Sequence, residues 1–231
     1  MTIKTLYTAI GHFEHRTNGC GRSFPVIVLG GNEYMMDLQE MVIWAALNWR
    51  IARREEIGIL YQNACKGAEH TVVRSWDECV ERLLTRGLLI SGSGNTEYDA
   101  LYDLLASLYI VPVSGSLPMR LLSFLHLTLL KRVPVSAARR LFQTDKRTKD
   151  EAQVMKLARQ ALLSTAEIIK CVEKGIFRLP DETSILAGLY DDKDTTSDNI
   201  SCLVKSASHT KEITLAVANL YLRQQIIFER I

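Results

Sequence analysis

The sequence predicts a mainly α-helical protein that contains one small β-hairpin. Two observations lead to this class. Apolar residues recur at helical spacing in three consecutive segments, 37–49, 53–65 and 71–86. A short apolar run and a turn rich in glycine and serine follow the third segment, and beyond residue 117 the pattern is almost wholly helical. We therefore expect a helical N-terminal domain with a hairpin, followed by an all-helical C-terminal region.

Length, composition and cysteine usage predict a cytoplasmic protein. The chain has 231 residues, of which 47% are apolar and 23% are charged, the balance of a soluble globular protein. The longest apolar segment, 117–130, is shorter than a membrane span and is interrupted by Arg120. The first residues contain no apolar signal core, and the five cysteines form no C-x-x-C pair. We expect neither a membrane segment nor a disulfide framework.

Residues 1–34 are predicted to form a strand and turn segment that packs on the first domain. Residues 24–29 have the composition of a strand, and the Gly-Gly-Asn sequence at 30–32 closes it as a turn. Pro25 lies near the start of this strand, where proline is tolerated, or at a sheet edge.

The third predicted helix is amphipathic and is followed by hairpin signals. Its apolar residues form one stripe. Its opposite face carries Thr71, Arg74, Ser75, Glu78 and Arg82. Gly87 occupies the position of a helix C-cap, directly before the apolar run 88–90. Residues 92–95, with the sequence Gly-Ser-Gly-Asn, can adopt the positive φ angles of a tight hairpin turn.

Three helices, a short strand and a turn of glycine, serine and asparagine make residues 35–113 resemble the winged helix-turn-helix superfamily of bacterial transcription regulators. The resemblance covers about a third of the chain and rests on the order of elements, without a signature motif. It implies that the third helix enters the major groove of double-stranded DNA, that the hairpin is a small β-wing, and that the protein is a homodimer on a palindromic site.

The C-terminal region, residues 117–231, follows a linker at 112–118 that is rich in proline, serine and glycine. Its predicted helices are 117–130, 136–142, 149–163, 164–174, 185–190, 196–206 and 211–230. Ser164 and Glu167 form a capping-box pattern after a very short turn, which is compatible with a second helix-turn-helix or with an ordinary helical bundle. No fixed-period repeat is visible in the sequence.

The last predicted helix, 211–230, is apolar over most of its circumference. Such a helix is either a central core element or part of a subunit interface. Both alternatives stay open from the sequence, and the second would support the expected homodimer.

The sequence contains no motif that predicts catalysis. Neither a phosphate-binding glycine motif nor an H-E-x-x-H zinc motif is present. His12, His15 and Cys20 are residue types that bind zinc, but their spacing matches no common site. We therefore expect no enzyme activity, no catalytic residue, no cofactor and no metal.

The resemblance leads to the hypothesis of a sequence-specific DNA-binding transcription regulator. Arg74, Ser75 and Arg82 would contact bases from the third helix, with Thr71 on the same face. Arg53 and Arg54 would bind phosphates at the start of the second helix. The remaining predicted contacts are Ser93 and Asn95 in the wing, and Lys146, Arg147 and Lys149 in a loop that faces phosphates.

The distribution of charge is the main difficulty for DNA binding by the predicted winged helix. Residues 35–110 contain 7 Lys and Arg against 11 Asp and Glu, whereas residues 131–178 contain 12 against 5. The basic residues that attract DNA are therefore concentrated outside the predicted winged helix. The alternative hypothesis is a winged-helix protein-interaction module with a helical domain for a partner or small-molecule effector. It would be favoured if Asp77, Glu78 and Glu81 ring the third helix.

Overall fold

The computed structural model describes residues 3–17, 19–21, 23–66, 74–113, 146–190 and 194–230. It is a mixed α/β structure, 46% helical and 22% strand, with three small antiparallel sheets among the described residues. The predicted mainly α-helical class is therefore wrong. Two of the sheets arise because short segments between the helices pair with strands that are far away in the chain, whereas the third is formed by consecutive strands of residues 12–34.

The strands are β1 (Lys4–Ala9), β2 (His12–Thr17), β3 (Ser23–Leu29), β4 (Asn32–Tyr34), β5 (Leu89–Gly94), β6 (Tyr109–Pro112), β7 (Leu163–Ser164) and β8 (Ile226–Glu229). The helices are α1 (Leu38–Leu47), α2 (Arg54–Ala64), α3 (Trp76–Thr85), α4 (Glu97–Leu105), α5 (Lys149–Ala158), α6 (Thr165–Glu173), α7 (Glu182–Leu189), α8 (Ile200–Leu203) and α9 (Thr210–Leu222), with a 3-10 turn at Val204–Ser206. Within the described ranges, no helix has the length and apolarity needed to cross a membrane. The predicted helices 117–130 and 136–142 lie outside the described residues.

The N-terminal segment contains the predicted strand as β3, which lies between β2 and β4 in one sheet. The predicted turn is present at Gly30 and Gly31, whose φ angles are +55° and +77°. The expectation of a strand and turn in this segment is confirmed.

The first unit of the fold consists of β1, α1, α2, α3 and β5. Strand β1 pairs antiparallel with β5, so that Tyr7 lies opposite Ser91. On its other side Tyr7 forms a bridge with Ala52, which lies between α1 and α2. The two backbone hydrogen bonds of this bridge measure 2.8 and 3.0 Å. Across this sheet the order is therefore Ala52, β1, β5.

The prediction of a β-wing is wrong. Residues 92–94 belong to strand β5, and the chain then enters α4, which is capped by Thr96. A Cβ atom on Gly92 would lie 2.2 Å from the backbone nitrogen of Leu104, and one on Gly94 would lie 2.4 Å from the Cβ of Asp99. These glycines therefore allow α4 to lie directly on β5, instead of forming the tip of a hairpin.

The second unit consists of β6, α5, β7, α6, α9 and β8, with α7 and α8 inserted between α6 and α9. Its strand order is β7, β6, β8, and Ile110 of β6 lies opposite Leu163 on one side and Phe228 on the other. The prediction of an all-helical C-terminal region is wrong, because the last helix ends at Leu222 and the chain continues as β8. Strand β6 falls within the predicted first domain but pairs with strands of the C-terminal region; the predicted division into domains stays a prediction.

The two units have the same architecture. The helix caps Asp37 and Thr148 are 111 positions apart, as are the strand residues Ala52 and Leu163. Helices α2 and α6 begin at the same spacing, at residues 54 and 165. The described part of the chain is therefore built from two copies of one arrangement, in which a central strand precedes the helices and is paired on both sides. One side is a strand in both units, and the other is the single bridge residue Ala52 in the first unit and β7 in the second.

The last helix of each unit ends in the same way. After α3, Gly87 has a φ angle of +69°, and after α9, Gln224 has a φ angle of +59°. In both cases the left-handed residue and its successor donate backbone hydrogen bonds of 2.8–3.0 Å back to the last turn of the helix. This C-terminal motif satisfies carbonyls at the helix end and turns the chain into the following strand.

A buried tyrosine joins the two units. The hydroxyl of Tyr221, on α9, accepts hydrogen bonds from Thr8 Oγ1 at 2.8 Å and from the backbone nitrogen of Trp49 at 2.9 Å. It donates to the carbonyl of Ala9 at 2.9 Å. The indole nitrogen of Trp49 donates to the carbonyl of Ile226 in β8 at 3.1 Å. Burial raises the pKa of Tyr221 to about 12.

Most of the apolar surface of α9 is buried within the chain, although Leu215 and Leu222 are exposed. Eight of its residues are buried, among them Ile213, Val217 and Leu220. The sequence left two alternatives open for this helix, a core element or a subunit interface, and in the structure α9 is a core element. The apolar character of this helix therefore no longer supports a dimer, and the homodimer stays a prediction.

Each unit buries a capping glutamate beside an arginine from its last helix. Glu40, in the third position of α1, accepts from Arg82 Nε at 2.7 Å and from Arg86 Nη1 at 2.8 Å. Glu151, the equivalent residue of α5, accepts from Arg223 at 3.1 Å through Oε2, but its Oε1 is buried with no hydrogen-bond partner among the described residues. Arg223 ends α9 as Arg86 ends α3, and Asn219 takes the place of Arg82.

We expect Tyr221→Phe to lower the free energy of unfolding by about 1–3 kcal/mol, because the backbone N–H of Trp49 loses its acceptor and the carbonyl of Ala9 loses a donor, while Thr8 keeps the carbonyl of Arg50. The wild-type stability should also fall as pH rises from 10 towards 12, since a tyrosine in the unfolded chain ionises there while buried Tyr221 stays protonated. Urea unfolding across this pH range measures both effects. The stability of the variant should depend less steeply on pH than that of the wild type. If both show the same slope, ionisation of Tyr221 is not the cause of the pH dependence.

We expect Asn219→Arg to stabilise the protein by about 1 kcal/mol, because a guanidinium at this position can reach the unpartnered oxygen of Glu151 as Arg82 reaches Glu40. Thermal or urea unfolding measures the gain. Asn219→Ala is the control for helix propensity, and the gain should disappear in a Glu151→Gln background. An equal gain in that background would show that the new arginine acts elsewhere.

Candidate functional site

The exposed face of α3 is the candidate site, because the sequence predicts a recognition helix there. Asp77, Glu78 and Glu81 are exposed on this helix, together with Arg82. The hydroxyl of Ser75 caps the helix by accepting from the backbone nitrogen of Glu78 at 3.2 Å. The face is therefore predominantly acidic. The prediction that Arg74 and Ser75 lie on this helix is wrong, because the helix begins at Trp76 and Ser75 caps it from outside.

The arginines of α2 contact acidic residues of neighbouring helices. Arg54 Nη2 lies 2.8 Å from Asp77 and 2.6 Å from Glu81, so α2 is tied to α3. The hydrogen bond to Glu81 is the main cause that raises the pKa of Arg54. Arg53 forms an ion pair with Glu97 at the start of α4. Both arginines predicted to bind phosphates are thus paired with carboxylates.

Arg74 forms an ion pair with Asp37, the residue that caps α1. Burial by itself would raise the pKa of Asp37, but the hydrogen bond from Glu40 N–H and the contact with Arg74 outweigh it, so the pKa lies below the ordinary value. The hydrogen bond to Asp37 in turn raises the pKa of Arg74. Arg74 therefore holds the N-terminus of α1 against the start of α3.

Arg82 is bound to Glu40 of α1 and not to Glu78, the neighbour that its spacing along the helix suggests. The side chain of Arg82 is 50% exposed, while that of Glu40 is 2% exposed. Arg82 thus lies at the surface with its Nε directed to a buried carboxylate. The sequence pattern did not indicate these partners because they come from another helix.

The remaining predicted contacts lie apart from one another. Ser93 is on β5, where its hydroxyl is 3.1 Å from that of Thr5, and Asn95 is exposed between β5 and α4. Without a hairpin these two residues have no wing from which to contact DNA. Lys146 and Lys149 are exposed at the start of α5, and Arg147 Nε donates to Gln225 at 2.6 Å. Thr71 lies outside the described residues.

Helix α5 carries a basic stripe that extends beyond the predicted loop. Lys149, Lys156 and Arg159 are exposed and follow one another at seven and three positions, close to whole helical turns. None of the three forms an ion pair with a described residue. Helical spacing in the sequence already contained this signal, whereas the predicted site stopped at Lys149.

One group of side chains has the composition of a catalytic triad but not its geometry. Ser208 Oγ and Glu173 Oε1 each lie 3.0 Å from Nδ1 of His209. A proton relay needs the nucleophile and the carboxylate on different ring nitrogens. Glu173 instead accepts from the backbone nitrogen of His209, the main cause that lowers its pKa, and so fixes the start of α9. In the described ranges no group of three His, Cys, Asp or Glu is arranged to hold a metal.

Comparison with family models, with curated proteins and with solved structures finds no match. The function therefore has to be inferred from the residues of the chain itself.

Proposed function

We propose that this chain is a non-catalytic binding protein that recognises a basic protein surface through α3 and the adjoining end of α1. The acidic outer face of α3 supports this proposal above any other observation: Asp77, Glu78 and Glu81 are exposed, and Arg54, which contacts Asp77 and Glu81, offsets only one of these three charges. Arg74 and Arg82 are paired with Asp37 and Glu40. Opposite charges across an interface steer association and select the partner.

The free energy needed to release an arginine of α3 from its ion pair argues against recognition of DNA bases by this helix. A bidentate contact between arginine and guanine contributes about 1–3 kcal/mol of discrimination. A hydrogen bond to a charged group contributes about 1.5–3 kcal/mol, and solvent screening reduces this for Arg82, which is half-exposed beside the buried Glu40. With Arg86 still bound to Glu40, the loss of this bond offsets most of the gain from a base contact, and the exposed carboxylates of α3 would repel DNA phosphates.

Two exposed apolar residues lie at the start of α1, beside the residue that joins this helix to the start of α3. Met35 is 68% exposed and Leu38 is 70% exposed. They flank Asp37 in the chain, whose carboxylate contacts Arg74 just before α3. Protein interfaces combine such apolar anchors with a polar rim. We call Met35, Leu38, Asp77, Glu78 and Glu81 the α1/α3 surface.

Binding of double-stranded DNA is the second candidate, and the stripe on α5 is the observation that favours it. Lys149, Lys156 and Arg159 present three cationic groups along one helix with no carboxylate bound among the described residues. Such a stripe neutralises phosphates without reading bases. In this account, DNA would be held by the second unit and not by α3.

We expect a photo-crosslinking residue in place of Glu78 to capture a protein partner in cells. The purified partner should bind the chain at least tenfold more weakly when Glu78 and Glu81 are changed together to Lys, because its basic surface then meets like charge. The loss should shrink at high salt. Binding measured by calorimetry at two salt concentrations gives both quantities.

Glu212 is the matched control, because it is an exposed glutamate on α9 of the other unit. Glu212→Lys should leave the affinity unchanged. A crosslink from position 78 to nucleic acid, or equal effects of the α3 and α9 variants, would contradict recognition through the α1/α3 surface.

If the α5 stripe binds DNA, changing Lys149, Lys156 and Arg159 together to Ala should weaken binding to all duplex sequences alike. The slope of log affinity against log salt should become shallower by up to about 0.9 for each lost phosphate contact. Fluorescence anisotropy with a random-sequence duplex measures this slope. Lys205→Ala and Lys211→Ala, at exposed positions outside the stripe, are the controls; an unaltered slope in the triple variant would exclude the stripe from DNA binding.

A further inference from the structure

A polar pocket in the second unit lies apart from the α1/α3 surface. It has a volume of about 240 Å³ and opens between the end of α4, the start of α6 and the residues that lead into α8. Its polar groups come from Ser107, Tyr109, Glu167, Tyr190, Asp198 and Ser201. The described residues that line it include two carboxylates and no lysine, arginine or histidine. We call it the Glu167 pocket.

The carboxylate of Glu167 is buried, although its role in capping α6 does not require burial. It occupies the third position of α6, where its Oε2 accepts from the backbone nitrogen of Ser164 at 2.6 Å. Its equivalent in the first unit, Glu56, makes the same capping bond at 2.7 Å but is exposed. Glu167 is 7% exposed, so desolvation of its charge has to be offset by its surroundings.

The surroundings of Glu167 supply hydroxyl groups and one more distant ammonium. Tyr190 donates to Glu167 Oε1 at 2.6 Å. Burial, and then Glu167 itself, raise the pKa of both Tyr109 and Tyr190, so both phenols stay protonated at neutral pH. Lys170, one turn along α6, lies 2.8 Å from Thr195 Oγ1 and does not line the pocket.

A cation is the ligand class that this lining fits. Carboxylate and hydroxyl oxygens accept hydrogen bonds, and a primary ammonium has three donors to give. Hydrogen bonds between an ionised donor and a carboxylate are about twice as strong as neutral ones. At about 30 Å³ for each water, the pocket has room for roughly eight waters, which limits the ligand to a few heavy atoms.

We propose that the Glu167 pocket binds a small organic cation with a primary ammonium group, of about the size of ethanolamine. The ammonium group contacts Glu167 and the serine hydroxyls, and the carboxylate of Asp198 adds attraction at the pocket. This site is independent of the α1/α3 surface, so either proposal can fail without the other.

The test is binding of three probes of similar size to the full chain: ethanolammonium chloride, ethylene glycol and sodium glycolate. Calorimetry and thermal unfolding should detect the cation and neither the neutral nor the anionic probe, since a ligand that binds the folded state raises the melting temperature. Glu167→Gln should weaken binding of ethanolammonium at least tenfold. Glutamine still fits the capping box, so the helix is retained.

Two further variants distinguish a loss of binding at the pocket from a loss of folding. Glu56→Gln makes the same change at the exposed equivalent position and should leave binding unchanged. Ser107→Trp, at an exposed residue that lines the pocket, should occlude the cavity and abolish binding even if Glu167→Gln does not fold. The proposal is overturned if ethanolammonium does not bind at millimolar concentration, if ethylene glycol binds equally well, or if the occluded variant binds as the wild type does.

Discussion

The hydroxyl of Tyr221 is the contact on which the relation between the two units depends. Tyr221 lies near the end of the last helix of the second unit, yet its three hydrogen bonds to Thr8, Ala9 and Trp49 reach the central strand and first helix of the first unit. Those bonds fix Trp49 in a left-handed conformation, and its indole then holds the backbone of β8. A residue with a large side chain adopts such a φ angle only where its surroundings hold it. Both the end of α1 and the start of β8 are thereby fixed.

In each unit, arginines form ion pairs within the fold, and these pairs determine which charges remain exposed at the surface. Glu40 and Glu151 cap their helices and are buried against arginines from the ends of α3 and α9. Because Arg82 and Arg86 are directed towards Glu40, and Arg74 towards Asp37, the exposed charge left on α3 is negative. Asn219 in place of a second arginine leaves an oxygen of Glu151 without a partner in the described part of the chain. The proposed specificity for a basic protein thus follows from the way in which the fold is stabilised.

Local patterns in the sequence predicted the helices well and the strands poorly. The helical segments beginning near residues 37, 53, 149 and 164 are present, because capping groups and apolar spacing act within a few residues. The glycines of β5 were interpreted as a turn, since only the position of α4 shows that they permit close packing. The internal duplication was not visible either, because equivalent positions such as Ala52 and Leu163 share a place in the sheet but not an identity. For the candidate site, the acidic residues of α3 were found and the partners of its arginines were not.

The sequence by itself determined where most helices begin, the acidic character of the first unit and the basic character of the segment that leads into α5. These properties depend on neighbours in the chain. Tertiary structure decided which strands pair; Tyr7, for example, is paired with both Ala52 and Ser91. It also decided which carboxylate each arginine contacts, and that Glu167 is buried while Glu56 is exposed. Contacts between residues tens of positions apart depend on the packing of whole elements, which no local pattern encodes.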